Sequence, residues 1–258
     1  MRYVSRPVRK VDGMSLVTGK PLYTNDLAPK ECLIVMALRS PHAYARIRDI
    51  DVSKASMVKG VACVLTYKDV PKVRFTNAGQ TYPEMSSYDR LILDEYVRYV
   101  GDEVALVAAS NEKAALQALK LIKVDYEVLE PLLDYKKAID NKVIVHNYDD
   151  YFNHYDFQGE NNKRNIVVDG VEEHGDVDAE FSRCDVIVES EFETPAQEQC
   201  MMETFRTYTY LDHNGRLCVV TSTQVPFHVR RILSRALQIP QTRIRVVKPR
   251  IGGGFGAK

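Results

Sequence analysis

Arg250-Ile-Gly-Gly-Gly-Phe-Gly-Ala-Lys258 is the stretch on which the reading of this chain turns. Three consecutive glycines, and a fourth after one phenylalanine, leave a backbone with almost no Cβ atoms. Such a backbone reaches positive φ angles and lets another group approach closely. Its N–H groups can converge on an anion or an oxo group as a nest, with Phe255 the one large side chain reaching into that space. With nothing to hold, the same residues would be a frayed glycine tail. Upstream, Ile244-Arg-Val-Val-Lys248 reads as a short strand that delivers the chain to this loop. The phosphate-loop templates fit badly: the glycines lack the spacing and the Ser/Thr of a P-loop, and no G-x-G-x-x-G opening a helix is present.

The chain has 258 residues, enough for one large or two medium domains with a sizeable core. Lys and Arg number 35 and Asp and Glu 35, so no global field points to nucleic acid or an anionic membrane. The longest apolar runs, such as 32–38, are far too short to span a bilayer. The first residues are basic, but no apolar core follows them as in a signal peptide. Five cysteines are scattered and never form a C-x-x-C pair, which suits neither a disulfide framework nor a zinc or iron–sulfur ligand set. A reducing cytoplasm with free thiols, mostly in the core, is the expectation.

Residues 1–30 read as loop, with turn signals at Val11-Asp-Gly13, Thr18-Gly-Lys-Pro21 and Asn25-Asp26, and Leu22 and Tyr23 as anchors. An apolar strand is expected at 32–38. Ala45-Arg-Ile-Arg-Asp-Ile-Asp-Val52 alternates as a half-buried strand does. Ser53 caps a short helix that Gly60 ends, and 61–65 and 104–109 are buried strands. Ser110 is the expected N-cap of the clearest helix, which puts Ala114, Ala115, Ala118, Leu119 and Ile122 on one face. Residues 124–128 alternate again, and 72–90 read as a long surface loop. Asp102, Glu103, Asp149 and Asp150 read as solvated acids.

From 134 to 169 the chain is polar and without period, as a linker is. Asp176 can cap a short helix ending at Phe181, and 184–192 alternates as a strand from Val186 on. Strands at 207–211 and 217–221 flank the turn Asp212-His-Asn-Gly215. Pro226 opens a helix running to Leu237. No repeat or low-complexity tract is present. The fold class is α+β: a small mixed α/β domain at 1–135, a linker at 136–173, and part of a second α+β domain at 174–258.

Several ordered motifs resemble the large subunit of the xanthine dehydrogenase and aldehyde oxidase family, the molybdenum hydroxylases. They are Thr18-Gly-Lys-Pro-Leu-Tyr-Thr-Asn-Asp26, Leu38-Arg-Ser-Pro-His-Ala-Tyr-Ala-Arg-Ile-Arg-Asp-Ile-Asp51 and Val100-Gly-Asp-Glu-Val-Ala-Leu-Val-Ala-Ala109. After the linker come His174-Gly-Asp-Val-Asp-Ala-Glu-Phe181, Pro195-Ala-Gln-Glu198, Ser222-Thr-Gln224 and Gly252-Gly-Gly-Phe-Gly256. The resemblance implies a hammerhead-type first domain and the beginning of a molybdopterin-binding domain. It implies that Gln224 hydrogen-bonds an oxo ligand of molybdenum. Phe255 and Gly256 would pack against the metal's ligand sphere, and Gly253 and Gly254 would bring backbone amides to the cofactor. No side chain would bind the metal directly, because the pterin dithiolene holds it. An amide side chain can donate two hydrogen bonds without adding charge. Taken alone, Gln224 could as well cap a turn, and Phe255 could be a core aromatic.

The implied activity is hydroxylation of a carbon on a purine, another N-heterocycle or an aldehyde, with oxygen from water. The cofactor is molybdenum-molybdopterin, in its simple or cytosine dinucleotide form. Electrons would leave through [2Fe-2S] clusters and FAD on partner subunits of a cytoplasmic oligomer, with no nucleic acid or membrane partner. Two departures stand out. Gln199, Cys200 and Met201 occupy the place where the family has histidine after Gln-Glu, and no glutamate matches the family's catalytic base. The expectation is therefore a fragment, a truncated product or one piece of a split large subunit, inactive by itself and holding little molybdenum. The competing expectation is a non-catalytic assembly module that docks the Fe-S and flavin subunits or a second large-subunit chain. A nucleotide-binding use of the glycine loop is disfavoured by the missing phosphate motifs. Glu203 is expected to be structural or at the site, His42 structural in the first domain, and His228 packed or on the surface.

Overall fold

Residues 104–109 form the middle strand of a three-stranded sheet, which is why their side chains are covered on both faces. The computed structural model describes residues 4–77, 81–148 and 159–258. Asp149 and Asp150 lie outside the described residues. Contacts divide the chain into two units: Met1–Cys32 with Gln199–Ser234 and Gln238–Lys258, and Leu33–Glu198 with Arg235–Leu237.

In the unit built on Leu33–Glu198, β1 (Ile34–Arg39), β2 (Ala45–Asp51), β3 (Val61–Thr66), β4 (Tyr96–Val97), β5 (Glu103–Ala109) and β6 (Lys123–Val128) make two antiparallel sheets. Their orders are β1-β5-β3 and β4-β2-β6. Ile34 pairs with Ala109 and Leu38 with Ala105, so the apolar run at 32–38 becomes an edge strand on β5. Helix α3 (Ser53–Ser56) precedes β3, and α4 (Glu112–Leu121) lies on β1 and β5. Ala114, Ala115 and Ala118 face the sheet, and their small side chains let the helix approach it closely. Ile47, Val97, Val104 and Val107 are less than 2% exposed. Each such side chain contributes about 1.5–3 kcal/mol by leaving water.

The caps fall one residue away from their expected places. Asn111, not Ser110, caps α4, its side chain accepting the Ala114 N–H at 2.9 Å. At α3 the N-cap position is Val52, with no side-chain cap, and Ser53 is already helical, its N–H donating to the Asp51 carboxylate at 2.9 Å. Asn and Asp serve this purpose as well as Ser does, so neighbouring polar residues compete for the position. Asp102 and Glu103 are not merely solvated. Asp102 accepts the Arg98 N–H at 2.9 Å, and Glu103 is paired with Arg39 at 2.8 Å. His42 meets the edge of the Tyr126 ring, with centroids 4.9 Å apart, as a structural residue would.

The units do not follow the sequence boundaries at 135 and 174. The polar segment beyond 135 is tied to the sheets by its own hydrogen bonds. Arg98 Nε donates to the Val145 carbonyl at 3.2 Å, and Tyr148 donates to the Asp89 carbonyl at 2.8 Å. Arg164 grips Asp140 with two bonds of 2.6 and 2.8 Å. Asn165, at φ 56°, donates to the carbonyls of Ala138 and Val143. Helix α5 (Val177–Phe181) follows, capped by Asp176 as expected. The expected strand at 184–192 is absent among the described residues. Residues 186–192 have no assigned secondary structure and are exposed throughout, with Val186 at 77%, Ile187 at 60%, Val188 at 83% and Phe192 at 89%, so neither face of the alternation is buried.

The other unit holds β7 (Thr207–Leu211), β8 (Leu217–Thr221), α6 (Pro226–Leu237) and β9 (Ile244–Val247). Strands β7 and β8 form the expected hairpin, with Thr207 opposite Thr221 and Leu211 opposite Leu217. Strand β9 runs parallel to β8, with Leu217 beside Ile244, so α6 is the crossover that a parallel pair requires. Asp212 shapes the hairpin turn. Backbone N–H groups of Arg216 and Asn214 and the Arg216 guanidinium hold its carboxyl down at about 2. Residues 1–30 are not all loop: α1 (Gly13–Val17) and α2 (Thr24–Leu27) lie within them. Cys218 is buried and Cys32 half-buried, but Cys63, Cys184 and Cys200 are exposed, so the thiols are not mostly core. Among the described residues no helix is long and apolar enough to cross a membrane.

Candidate functional site: the glycine loop and its three supports

The glycine loop begins as the chain leaves β9. Arg250 bridges to Tyr23 in a short parallel pairing and its guanidinium forms an ion pair with Asp12. The opening thirty residues thus belong to the same unit as the loop, and the anchor at Tyr23 is confirmed. The N–H of Ala257 donates to the Gly254 carbonyl at 2.9 Å, closing a tight turn with Phe255 and Gly256 at its centre. Both central residues have positive φ, 49° for Phe255 and 86° for Gly256, as in the mirror-image turn types. For a phenylalanine this is a strained conformation, costing on the order of 1–3 kcal/mol. Its ring is 72% exposed, so core burial does not repay that strain.

Each glycine has its own reason. A Cβ on Gly252 would sit 2.6 Å from the Glu203 Cβ. A Cβ on Gly253 would lie 3.1 Å from both the Met201 Cβ and the Phe255 ring. A Cβ on Gly254 would lie 2.6 Å from Gln224 Oε1. Gly256 meets nothing within 4 Å on that side, so its backbone stands open to an approaching group.

Gln224 arrives from the connection between β8 and α6. Ser222 and Thr223 are buried, the Ser222 hydroxyl accepting the Arg206 N–H at 3.2 Å and the Thr223 hydroxyl accepting the Val225 N–H at 3.1 Å. These bonds fix the turn and leave Gln224 exposed beside Gly254. The Gln224 N–H donates to the main-chain oxygen of Lys258. Its side-chain amide has no hydrogen-bond partner among the described residues. The same is true of the N–H groups of Gly253, Gly254, Phe255 and Gly256.

The third support is the segment at 199–205. Glu203 and Gly252 bond reciprocally: the Glu203 N–H donates to the Gly252 carbonyl at 3.1 Å, and the Gly252 N–H donates to Glu203 Oε2 at 2.9 Å. Lys258 Nζ donates to the same Oε2 at 2.9 Å and to the Glu203 carbonyl at 2.6 Å. The Lys258 side chain is 0% exposed and that of Glu203 12%. Burial by itself would raise the Glu203 carboxyl. The Gly252 N–H and the Lys258 ammonium outweigh it and hold the group below the usual carboxylate range. Cys200 adopts a positive φ of 47° next to Met201, which packs on Gly253.

The structure therefore gathers Gln224, Gly253, Gly254, Phe255 and Gly256 into one surface. His228 is on the buried side of α6, within 3.5 Å of Arg231, and takes no part in that surface. The sequence assigns no role to Lys258 and no partner to Glu203. Their pairing joins residues 55 apart, and neither spacing nor period signals such a contact.

A second polar cluster lies in the other unit. The Tyr148 hydroxyl has one proton, given to the Asp89 carbonyl, so His146 Nδ1 carries the proton of their mutual hydrogen bond. Arg74 stacks 3.3 Å from the Tyr148 ring centroid and Arg98 lies 5.2 Å from it. Burial first, then Arg98, Arg74 and Arg90, push His146 down to about 4.

The glycine loop thus lies beside an uncharged carboxamide, and its amides at 253–256 have no acceptor among the described residues. Residues 18–130 match the aldehyde oxidase and xanthine dehydrogenase a/b hammerhead domain, and residues 158–258 match the molybdopterin cofactor-binding domain. The chain is 35% identical over its whole length to the probable hypoxanthine oxidase of Escherichia coli O157:H7, of which it spans 29%. It is 32% identical to the nicotinate dehydrogenase large molybdopterin subunit of Eubacterium barkeri, with 96% of this chain and 54% of that one matched. Among solved structures, the aldehyde oxidoreductase of Desulfovibrio gigas superposes with a TM-score of 0.78 at 25% identity, covering 95% of this chain and 26% of that one. Quinoline 2-oxidoreductase of Pseudomonas putida 86 gives 0.71 at 28% identity, covering 96% and 30%.

A hammerhead domain followed by a molybdopterin cofactor-binding domain defines the class: part of a molybdopterin-binding large subunit. The chain belongs to the aldehyde oxidase and xanthine dehydrogenase family.

Proposed function

We propose that residues 252–258, with Gln224, form one wall of a molybdenum-molybdopterin site in an oxidoreductase that hydroxylates an N-heterocycle or an aldehyde. The observation that carries this reading is the contact of Gly254 with the unbonded Gln224 carboxamide, in a loop whose amide N–H groups at 253–256 have no acceptors among the described residues. Donors fixed in advance bind a negatively charged oxygen without reorganising. The strained, exposed ring of Phe255 is consistent with a residue held for a ligand rather than for packing.

When bound, the cofactor supplies the redox centre and the oxygen-transfer chemistry. The chain's own residues hold and orient it. Gln224 would donate its carboxamide hydrogens to an oxygen of the bound group without adding charge. The amides at 253–256 would donate to it as well, the absence of Cβ atoms there allowing close approach. Phe255 would exclude water. None of these groups moves a proton, so the base of the reaction lies elsewhere in the assembly. Electron transfer through [2Fe-2S] and FAD groups on partner subunits is part of the same reading, supported by the names of relatives that are themselves subunits.

The test is expression in cells that make molybdenum cofactor, followed by assay of molybdenum and of oxidised pterin in the purified protein. With the remainder of the large subunit co-expressed, since the chain by itself is expected to hold little, retention in the wild type and its loss in Gln224→Ala and Gly256→Val are expected. Equal retention in all three would overturn the reading. The mass of the released pterin separates the simple form from the cytosine dinucleotide.

The assembly-module reading is favoured by one observation, the segment at 184–192, which has no assigned secondary structure and exposes Val186, Ile187, Val188 and Phe192. An exposed apolar segment of this kind suits covering by another polypeptide. A second large-subunit chain that co-purifies and protects these residues from proteolysis would support it.

A further inference from the structure

The Lys258 ammonium is fully buried, yet nothing in the site's chemistry as read above uses it. Lys258 ties two of the site's supports, the 199–205 segment and the connection between β8 and α6, to the end of the glycine loop. Its Nζ bonds Glu203 twice, at 2.6 and 2.9 Å, and thereby fixes the segment at 199–205. Its main-chain oxygen accepts the Gln224 N–H and so fixes the connection between β8 and α6. Through the shared Oε2 of Glu203 it is one step from the Gly252 N–H, at the start of the glycine loop.

We propose that Glu203 and Lys258 are a buried charged staple that sets the shape of residues 252–257 and aligns Gln224 with them. They are positioning residues for the cofactor wall, touching neither metal nor pterin. This rests on the molybdopterin reading for what the shape is used for, but the staple itself stands on this chain's own contacts.

The physical argument is one of over-determination. A loop with four glycines loses more conformational freedom on ordering than any other seven residues in the chain. The turn inside it closes with a single backbone hydrogen bond, Ala257 to Gly254, and its central phenylalanine is strained. Such a turn persists only if its two ends are held. One end is held by the reciprocal Glu203–Gly252 pair, and the other by Lys258. A lone buried charge is far more costly than a pair, so either residue without its partner pulls the loop open to reach water. The closeness of Gly252 to Glu203 strengthens the case, since the glycine leaves no gap between the two segments.

The experiment compares the full chain with Glu203→Gln, Lys258→Met and the double variant, using residue-resolved amide hydrogen exchange without cofactor. Each single variant is expected to exchange at least tenfold faster at 252–257, while Val219 and Val220 in β8 keep wild-type rates and so show that the unit is folded. The double variant, in which no charge is left unpaired, is expected to recover most of the protection. That recovery is the mark of the charge pair and is not expected of residues that merely fill space. Unchanged exchange at 252–257 in both single variants would overturn the staple. Pterin retention is then measured after expression with cofactor: the singles should lose it and the double should regain part of it. Faster exchange with full pterin retention would overturn the positioning role. A wild type that holds no pterin even when the remainder of the large subunit is co-expressed would overturn the molybdopterin reading instead, and the exchange data would still decide the staple.

Discussion

The Cβ position of Gly254 lies 2.6 Å from Oε1 and 2.7 Å from Cδ of Gln224, so the loop and the carboxamide occupy adjoining space with no room for one more methyl group. The corresponding point on Gly252 lies 2.6 Å from the Glu203 Cβ and 3.3 Å from its backbone nitrogen. The two glycines look alike in sequence but differ in what a methyl group would displace.

Gly254→Ala is therefore expected to push aside a flexible side-chain end at little cost to stability. Gly252→Ala must move a backbone and is expected to cost about 1–3 kcal/mol, the usual price of overpacking. Thermal unfolding separates them: Gly252→Ala lowers Tm, whereas Gly254→Ala leaves Tm near wild type but loses bound pterin. Equal Tm losses in both would show that the Gln224 side chain cannot yield.

Ala115 is fully buried where α4 meets β1 and β5. Ala115→Leu is expected to destabilise the unit by about 1–3 kcal/mol, because the helix would have to lift from the sheet. Denaturant titration reads this directly, and a loss below about 0.5 kcal/mol would mean that the layer is looser than its buried alanines indicate.

That layer was legible in the sequence because its signals are local. Alternation at 45–52, the apolar run at 104–109 and the alanine face of α4 each announce their own element. So do the Asp212–Gly215 turn and Pro226 at the head of α6, and Gln224 does lie against Gly254 of the glycine loop. The illegible parts depend on partners distant in the chain. The segment at 184–192 carries a strand's alternation, yet alternation reports only a chain's readiness to pair, and no strand among the described residues lies beside it. The polar stretch beyond 135 looked like a linker because its order comes from hydrogen bonds such as Arg98 to Val145, which leave no apolar period to read. Glu203 and Lys258 were hidden for the same reason.

His146 gives a pH prediction. Its folded-state pKa of about 4 lies below its ordinary value of 6.5, because burial and the neighbouring arginines disfavour the cation. Between those values the unfolded chain binds a proton that the folded chain refuses, so stability rises with pH across the window. The contribution is complete above pH 6.5 and is lost as pH falls toward 4, amounting at most to something on the order of 3 kcal/mol. His146→Gln is expected to flatten the stability profile between pH 4 and 6.5. An unchanged slope in that variant would assign the dependence to other groups.

Phe255 separates stability from function. At φ 49° and 72% exposed, its ring costs strain and returns little burial. Asparagine tolerates the left-handed region far better than an aromatic residue does. Phe255→Asn is therefore expected to leave Tm unchanged or raise it by a few degrees, while the amides at 252–257 keep their protection. On the proposed reading, pterin retention is expected to fall in the same variant, because a small polar side chain would not shield a bound cofactor from water. A residue kept at a conformational cost that its own fold does not recover is held for something it touches. If Phe255→Asn lowered Tm by several degrees and retained pterin in full, the ring would instead be a packing element of the loop, and the strain would have to be explained by folding alone.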